Sequence, residues 1–194
     1  MPRSPALMLL SMALMYCMPI GNAAELDAAE RDAVVIAFYQ YWNAYSGGQY
    51  RESADLMCSA DLVGLRSGLL PIFKRLSTSK EADAKKLADV FFQGVAPTKR
   101  DELNEREVLV QMMNFVATLN PDMAHVIRNS RPTITELSVE SGDKSLVTLQ
   151  YKLSMQGAPE ASFQQLRNTE DGWCLVPPES PADITARLKR LFKM

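Results

Sequence analysis

The hydrophobic pattern of this chain changes its period near Pro132, and this change limits the fold more than any other feature. From Glu25 onward, apolar residues recur three and four positions apart, as on one face of a helix. After Pro132, apolar and polar residues alternate in four short stretches, as in half-buried strands. The sequence therefore predicts an α+β fold, with N-terminal helices packed on one face of a C-terminal antiparallel sheet.

The helical half is predicted to extend from position 25 to position 130. Its first segment ends at Ser46-Gly47-Gly48, where the helical spacing stops. Gly64, Gly68 and Pro71 are expected to make the third segment irregular. The predicted helical segments are 25–45, 50–57, one that begins near Ser59, 80–94 and 101–119.

The antiparallel meander is predicted over positions 133–176. Its second strand shows the strongest alternation in the chain, and strands over 162–169 and 173–176 follow it. Since one face must be buried, the alternation also predicts which side chains point inward. The predicted inward residues are Thr135, Leu137 and Val139 in the first strand and Val147, Leu149, Tyr151, Leu153 and Met155 in the second.

A short C-terminal helix is predicted over 181–193. Ser180 is a typical N-cap, and Pro181 suits the first helical position. Two interpretations stay open: a helix docked on the domain, which is favoured, and a helix that touches an anionic membrane surface. The apolar stripe is Ile184, Leu188, Leu191 and Phe192, and the basic side is Arg187, Lys189, Arg190 and Lys193.

Residues 1–23 are predicted to be a signal peptide. Arg3 precedes an uncharged apolar run from Ala6 to Ile20, and Gly21-Asn22-Ala23 supplies the small residues of a cleavage site. A membrane anchor is the weaker interpretation, because Pro19 interrupts a run that is shorter than a spanning helix. The protein is therefore predicted to be exported, either to the periplasm or out of the cell.

Composition excludes several classes of partner. The 21 Lys and Arg against 23 Asp and Glu leave no positive excess for nucleic acid. Without a repeat or linker, positions 24–194 are predicted to form a single domain with no second apolar run that could span a membrane. No residue spacing or motif indicates a metal or a cofactor.

Of the cysteines, Cys58 and Cys174 remain in the mature chain. They are predicted to form one disulfide, with two separate thiols as the alternative.

Three segments together resemble a known superfamily. They are Phe38-Tyr39-Gln40-Tyr41-Trp42-Asn43-Ala44-Tyr45, then Gln49-Tyr50-Arg51-Glu52-Ser53-Ala54-Asp55-Leu56-Met57, and finally Glu170-Asp171-Gly172-Trp173-Cys174-Leu175. The chain resembles the nuclear-transport-factor-2-like (cystatin-like) superfamily, which includes exported bacterial proteins of unknown function. The resemblance implies a cone, in which a curved sheet wraps the long helix and leaves a cavity. Residues 59–131 depart from the family, because they read as a helical insertion where further strands are usual.

The first helix carries the candidate ligand-binding residues, because Phe38, Tyr41, Trp42 and Tyr45 share one face. Such a face either fills the core, which is its commoner role, or lines a cavity for an apolar or lipid-like ligand. Asp55 is a candidate buried acid in that cavity, although a solvated carboxylate is the favoured interpretation. The only histidine, His125, is interpreted as structural, and no catalytic residue is assigned.

These observations favour a non-enzymatic domain that binds a small hydrophobic ligand or a partner protein in the cell envelope. The alternative is a cone-fold enzyme that performs acid–base chemistry on a small apolar substrate, with a tyrosine, Asp55 or His125 as its polar group. The sheet is also a candidate interface for a homodimer.

Overall fold

A computed structural model describes residues 26–140, 143–154 and 161–193. In this part of the chain, seven α-helices accompany a four-stranded antiparallel sheet, so the predicted α+β class is confirmed. The predicted signal peptide and Met155 lie outside the described residues. The helices are α1 (Ala28–Ser46), α2 (Tyr50–Asp55), α3 (Leu65–Ser77), α4 (Ala82–Phe91), α5 (Glu105–Leu119), α6 (Pro121–Asn129) and α7 (Pro181–Leu191), and the strands are β1 (Pro132–Glu140), β2 (Asp143–Leu153), β3 (Ser162–Thr169) and β4 (Gly172–Leu175).

The ends of the helices follow from local capping. Asp27 and Glu30 form a capping box that starts α1, and Asn104 and Glu107 form another that starts α5. Asn120 then ends α5 and also begins α6, since its side chain accepts a hydrogen bond from the amide of Met123. The sequence predicted the break at this asparagine but not the separate helix after it.

Helix α3 is more regular than the sequence predicted. It runs unbroken through Pro71, and Gly64, with φ of +93°, precedes it rather than interrupting it. Pro71 cannot donate a backbone hydrogen bond and is exposed, whereas its neighbours Ile72 and Phe73 are buried. Packing of the flanking residues therefore outweighs the lost hydrogen bond.

The sheet is a meander with the order β1-β2-β3-β4, as predicted. Val147 and Leu149 of β2 are fully buried, and Tyr151 and Leu153 pack on the same face. The prediction for Thr135 was wrong. A register shift between Ile134 and Glu136 turns Thr135 outward and puts Ile134 on the buried face, because a bulge moves the alternation by one residue.

Two separate hydrophobic cores fill the molecule. The sheet core lies between α1 and the buried face of the sheet, and the helical core lies among α3, α4, α5 and α7. The sheet core is centred on the buried residues Val34, Phe38, Trp42, Met57, Leu62, Val147, Leu149, Leu166 and Leu175. The helical core is centred on Leu65, Leu69, Leu70, Ile72, Phe73, Leu76, Ala88, Phe91, Phe92, Val108 and Phe115.

Helix α5 belongs to both cores. Val108 and Phe115 are buried in the helical core, Met113 packs on the sheet core, and Leu109 contacts both. Its Arg106 also holds α2, donating hydrogen bonds to the Ala54 carbonyl at 3.0 Å and to the Ser59 hydroxyl at 2.6 Å. The two cores therefore share one wall.

Helix α7 packs in close approach to α3. A Cβ at Gly68 would lie 2.1 Å from Thr185 Oγ1, so this approach requires glycine. Leu188 is buried, and Ile184 and Phe192 are partly buried, which agrees with the favoured docked interpretation. The prediction for Leu191 was wrong: the residue ends the helix and is 59% exposed.

Candidate ligand-binding site

The aromatic face predicted on α1 is divided between two environments. Phe38 and Trp42 point at the sheet, where their rings lie 5.0 Å and 6.0 Å from the ring of Tyr151. Phe38 is 1% exposed and Trp42 is 7% exposed, so both are core residues. Between these rings and the sheet, the described residues leave no cavity of the size that a ligand needs, ~300 Å³.

Tyr41 and Tyr45 lie on the other flank of the same face. Their rings stack with centroids 5.7 Å apart, and the ring of Tyr50 lies 5.8 Å from that of Tyr45. Burial raises the pKa of Tyr41, and the neighbouring Tyr45 raises it further, while the Ser53 hydroxyl partly offsets this effect. Burial also raises the pKa of Tyr45. Both phenols therefore remain neutral hydrogen-bond donors at physiological pH.

These two tyrosines are largely surrounded by protein and yet reach the surface. Both keep part of their surface accessible, in contrast to Phe38. Tyr45 borders a crevice between α1, α2, α5 and α6, which we call the α6 crevice. Its free volume is about 20 Å³, enough for one water molecule. The crevice is lined by Tyr45, Ser46, Tyr50, Val116, Ala117, Asn120, Met123, Ala124, Ile127 and Arg128.

The lining of the α6 crevice combines two kinds of residue. Val116, Ala117 and Ile127 are apolar, whereas Tyr45, Tyr50 and Arg128 carry polar groups. Small-molecule sites usually combine apolar surface with a few polar groups.

Helix α6 is the least anchored wall of this crevice. It has no fully buried residue, and Met123, which lines the crevice, is 42% exposed. The single residue Asn120 joins it to α5. Its other end is fixed to the sheet, because Arg131 and Ser154 exchange hydrogen bonds of 3.0 Å and 3.1 Å. Few buried contacts make a segment easy to displace.

The structure does not place Asp55 with the aromatic residues. Its side chain is 62% exposed and forms an ion pair with Arg106 at 3.2 Å. It borders a shallow depression on the outer side of α1 and α2, which has a volume of about 500 Å³ and is open to solvent. This exposure agrees with the favoured interpretation of a solvated carboxylate, and the candidate of a buried acid is corrected: α2 turns Ser53 and Ala54 inward and Asp55 outward.

The other polar candidates also lie away from the α6 crevice lining. His125 is exposed on α6, where its ring contacts the Asn129 amide at 3.2 Å.

Among the described residues, no group of His, Cys, Asp and Glu is arranged to hold a metal ion. No helix in this part of the chain is long and apolar enough to cross a membrane.

Cys58 and Cys174 form a disulfide, with their Cα atoms 5.0 Å apart. The segment around Cys58 lies beside β4, where the Cys58 amide donates to the Leu175 carbonyl and the Leu175 amide donates to the Leu56 carbonyl, both at 2.9 Å. The Asp61–Arg167 ion pair, at 2.7 Å, adds a third connection. Together these bonds hold the end of α2 against the sheet.

Sequence reasoning missed the residues that α6 contributes to the crevice. Met123, Ala124 and Ile127 have helical spacing, and the preceding Asn120-Pro121 is a typical N-cap and first position. The signal was therefore present, but the proline was interpreted only as the end of the preceding helix.

No protein-family model and no curated protein matches this chain. Among solved structures, the chain is similar to a phospholipid-binding protein from Ralstonia solanacearum, solved in complex with a phospholipid. The two are 17% identical over 84% of this chain and 85% of the other, with a TM-score of 0.32. No residue role is transferred from that protein to this one.

Proposed function

We propose that this protein is a non-enzymatic binding protein that takes up a small apolar ligand with a hydrocarbon chain in the α6 crevice. The observation that carries the proposal is the position of Tyr45, which is desolvated by the protein and yet borders the α6 crevice with part of its surface accessible. A solvated phenol would not have its pKa raised by burial, and a fully enclosed one would not border a crevice.

Uptake requires the crevice to widen. A free volume of about 20 Å³ is far below the ~300 Å³ of ordinary ligand sites, so one wall must move. Helix α6 is the wall with the fewest buried contacts and a one-residue connection to α5. Its displacement would expose Val116, Ala117 and Tyr45 to an entering hydrocarbon chain.

Titration with the fluorescent fatty acid cis-parinaric acid tests the proposal. Ala124→Trp fills the crevice with an indole and is expected to weaken binding by about tenfold or more, a loss of ~1.4 kcal/mol. Ala186→Trp makes the same change on the exposed side of α7 and is the matched control. Equal binding by both variants, or an unmodified protein that does not bind the probe, would contradict the proposal.

Export is part of the same proposal. It is supported by the order of Arg3, the apolar run from Ala6 to Ile20 and Gly21-Asn22-Ala23, together with the disulfide between Cys58 and Cys174. N-terminal sequencing of the protein from the periplasm or the medium is expected to begin at Ala24. A chain that keeps Met1 in the cytoplasmic fraction would contradict export.

A relationship to the nuclear-transport-factor-2-like superfamily is also a proposal. It is supported by a long first helix packed on an antiparallel meander. Residues 59–131 are helical rather than stranded, which departs from the family. A ligand-bound structure tests this relationship. In a cone of that superfamily the ligand would lie between α1 and the sheet, whereas a ligand in the α6 crevice would lie between α1, α2, α5 and α6.

A protein partner in the envelope, or a homodimer through the sheet, is the second candidate. It is supported by Phe163, which is 56% exposed on β3, and by β1, which is an edge strand. Phe163→Asp is expected to dissociate a dimer in sedimentation analysis. A monomer before the substitution would count against the homodimer.

A further inference from the structure

Charge is unevenly distributed between the two halves of the molecule, although the chain as a whole is nearly neutral. Residues 64–100 and 179–193, which contain α3, α4 and α7, hold 12 Lys and Arg against 5 Asp and Glu. The remaining described residues hold 8 Lys and Arg against 16 Asp and Glu. The positive half is therefore also the half that contains most of the helical core.

The packing of α3 and α7 concentrates this positive charge at one end. Gly68 meets Thr185, and the ring of Phe73 lies 6.4 Å from that of Phe192. Contacts that advance together along both helices show that the two helices are parallel. Their C-terminal turns therefore lie side by side, and both turns are rich in cations.

We call this region the basic end and define it by Arg75, Lys80, Lys189, Arg190 and Lys193. All five residues are exposed, and within the described part of the chain none of them forms an ion pair. Other cations of the same half are neutralised: Lys74 pairs with Asp101, and Arg187 pairs with Glu179.

An exposed apolar side chain lies within the basic end. Leu191 is 59% exposed between Arg190 and Phe192, whereas Leu188 anchors the same helix in the helical core. The acids that precede and begin α4 are Glu81 and Asp83, and Asp83 already pairs with Lys86. Free cations around an exposed leucine are the combination that favours the interface of an anionic bilayer.

We propose that the basic end docks the protein on an anionic lipid surface. The acidic half is repelled by such a surface, so the charge asymmetry also orients the protein, with the ends of α3 and α7 toward the lipid. Helix α7 does not need to leave α3, because the cations project from the side opposite Leu188. This inference concerns a different surface from the α6 crevice, and neither proposal depends on the other.

Sedimentation with vesicles tests the docking surface. The full chain is mixed with vesicles of phosphatidylcholine containing phosphatidylglycerol, and with vesicles of phosphatidylcholine alone. Lys189→Gln, Arg190→Gln and Lys193→Gln are combined in one variant, which is expected to lower the partition coefficient on the anionic vesicles by about 100-fold, since each cation contributes about fivefold. Any contribution of the apolar run from Ala6 to Ile20 is common to all the proteins compared.

The matched control removes three cations from the other half: Arg131→Gln, Lys144→Gln and Lys152→Gln. The control is expected to keep binding, and salt is expected to release the unmodified protein. An equal loss in both variants would show that net charge alone acts and would overturn the proposal. Absence of binding to anionic vesicles, with retention on poly-glutamate instead, would assign the basic end to an acidic protein and would also overturn it.

Discussion

The helical core and the sheet core are built from similar residue types but are filled differently. In the helical core, the rings of Phe73 and Phe91 stack at 3.7 Å, and Phe115 contacts both edge-on. In the sheet core, Phe38 and Trp42 are equally buried, but the surrounding Tyr39, Tyr41 and Tyr151 retain accessible surface.

The difference lies in the polar atom that each tyrosine carries. A phenylalanine ring can be enclosed on all sides, whereas a phenol needs a partner or water for its hydroxyl group. The Tyr39 hydroxyl reaches the Pro132 carbonyl only at 3.4 Å. The rings of the helical core are therefore enclosed by other apolar side chains, whereas Tyr41 and Tyr45 on α1 keep part of their surface accessible.

The largest expected effect is on the helical core. Phe73→Ala removes a fully buried ring that contacts Phe91, Phe115 and Phe192, and it is expected to lower the free energy of unfolding by ~3–5 kcal/mol. Urea unfolding followed by circular dichroism measures the change. A loss below ~1 kcal/mol would show that the ring of Phe73 is not close-packed in the helical core.

The disulfide offers a way to separate the two cores. Both tryptophans, Trp42 and Trp173, pack in the sheet core, so fluorescence reports that half, while circular dichroism reports mainly the helices. Replacing Cys58 and Cys174 by Ala is expected to cost ~2–4 kcal/mol and to lower the fluorescence midpoint more than the dichroism midpoint. Coincident midpoints in this variant would mean that the two cores unfold as one unit.

The contact of α7 with the helical core is tested by Gly68→Ala. The added methyl group would overlap Thr185 Oγ1, and the expected loss of stability is ~1–3 kcal/mol. Thr185→Ala in the same chain is expected to restore part of the stability, since it removes the hydroxyl that lies 2.1 Å from the new methyl group and leaves the Thr185 Cβ at 3.2 Å. If this second change restored no stability, the loss caused by Gly68→Ala would not come from the contact with Thr185.

The smallest effect concerns pH and belongs to the sheet core alone. The pKa values of Tyr41, Tyr45 and Tyr151 are raised mainly by burial, so the folded state keeps their protons when the unfolded state begins to lose them. Their contribution to stability is complete below about pH 10 and falls as pH rises further, by up to ~1.4 kcal/mol per pH unit for each group.

Urea unfolding between pH 9 and pH 11.5 measures this slope. Tyr41→Phe is expected to flatten it. Tyr39→Phe serves as the control, since Tyr39 lies on the same helix, is partly buried and does not raise the pKa of the other three tyrosines. An unchanged slope in Tyr41→Phe would show that the phenol is already hydrated in the folded protein.

Much of the fold could be predicted because it follows from local patterns. The alternation of Val147, Leu149 and Tyr151 fixed the strand and its buried face, and Ser180-Pro181 fixed the start of α7. The bulge at Thr135 could not be read in this way, since it depends on pairing with β2. The division into two separate cores could not be predicted either, because both cores are made from the same types of apolar residue.

The candidate site was only partly predictable for the same reason. The shared face of Phe38, Tyr41, Trp42 and Tyr45 is a property of one helix and was visible in the sequence. Its division into a buried flank and a crevice flank depends on which elements lie opposite, namely β2 for Trp42 and α6 for Tyr45. For Asp55 the sequence favoured a solvated carboxylate, as the structure has it, but left a buried acid open, because a short helix leaves the direction of each side chain undetermined.

The bond between Cys58 and Cys174 also determines how the molecule responds to proteases. It closes a covalent ring that contains every residue between Cys58 and Cys174, from the short 3₁₀ helix Ser59–Leu62 to the first residues of β4. A single cut within that ring, for example after an exposed lysine of α4, opens the ring but releases no fragment until the disulfide is reduced. A cut near the Ser180 cap of α7 lies outside the ring and would free the last helix, which is then retained only by its packing on α3.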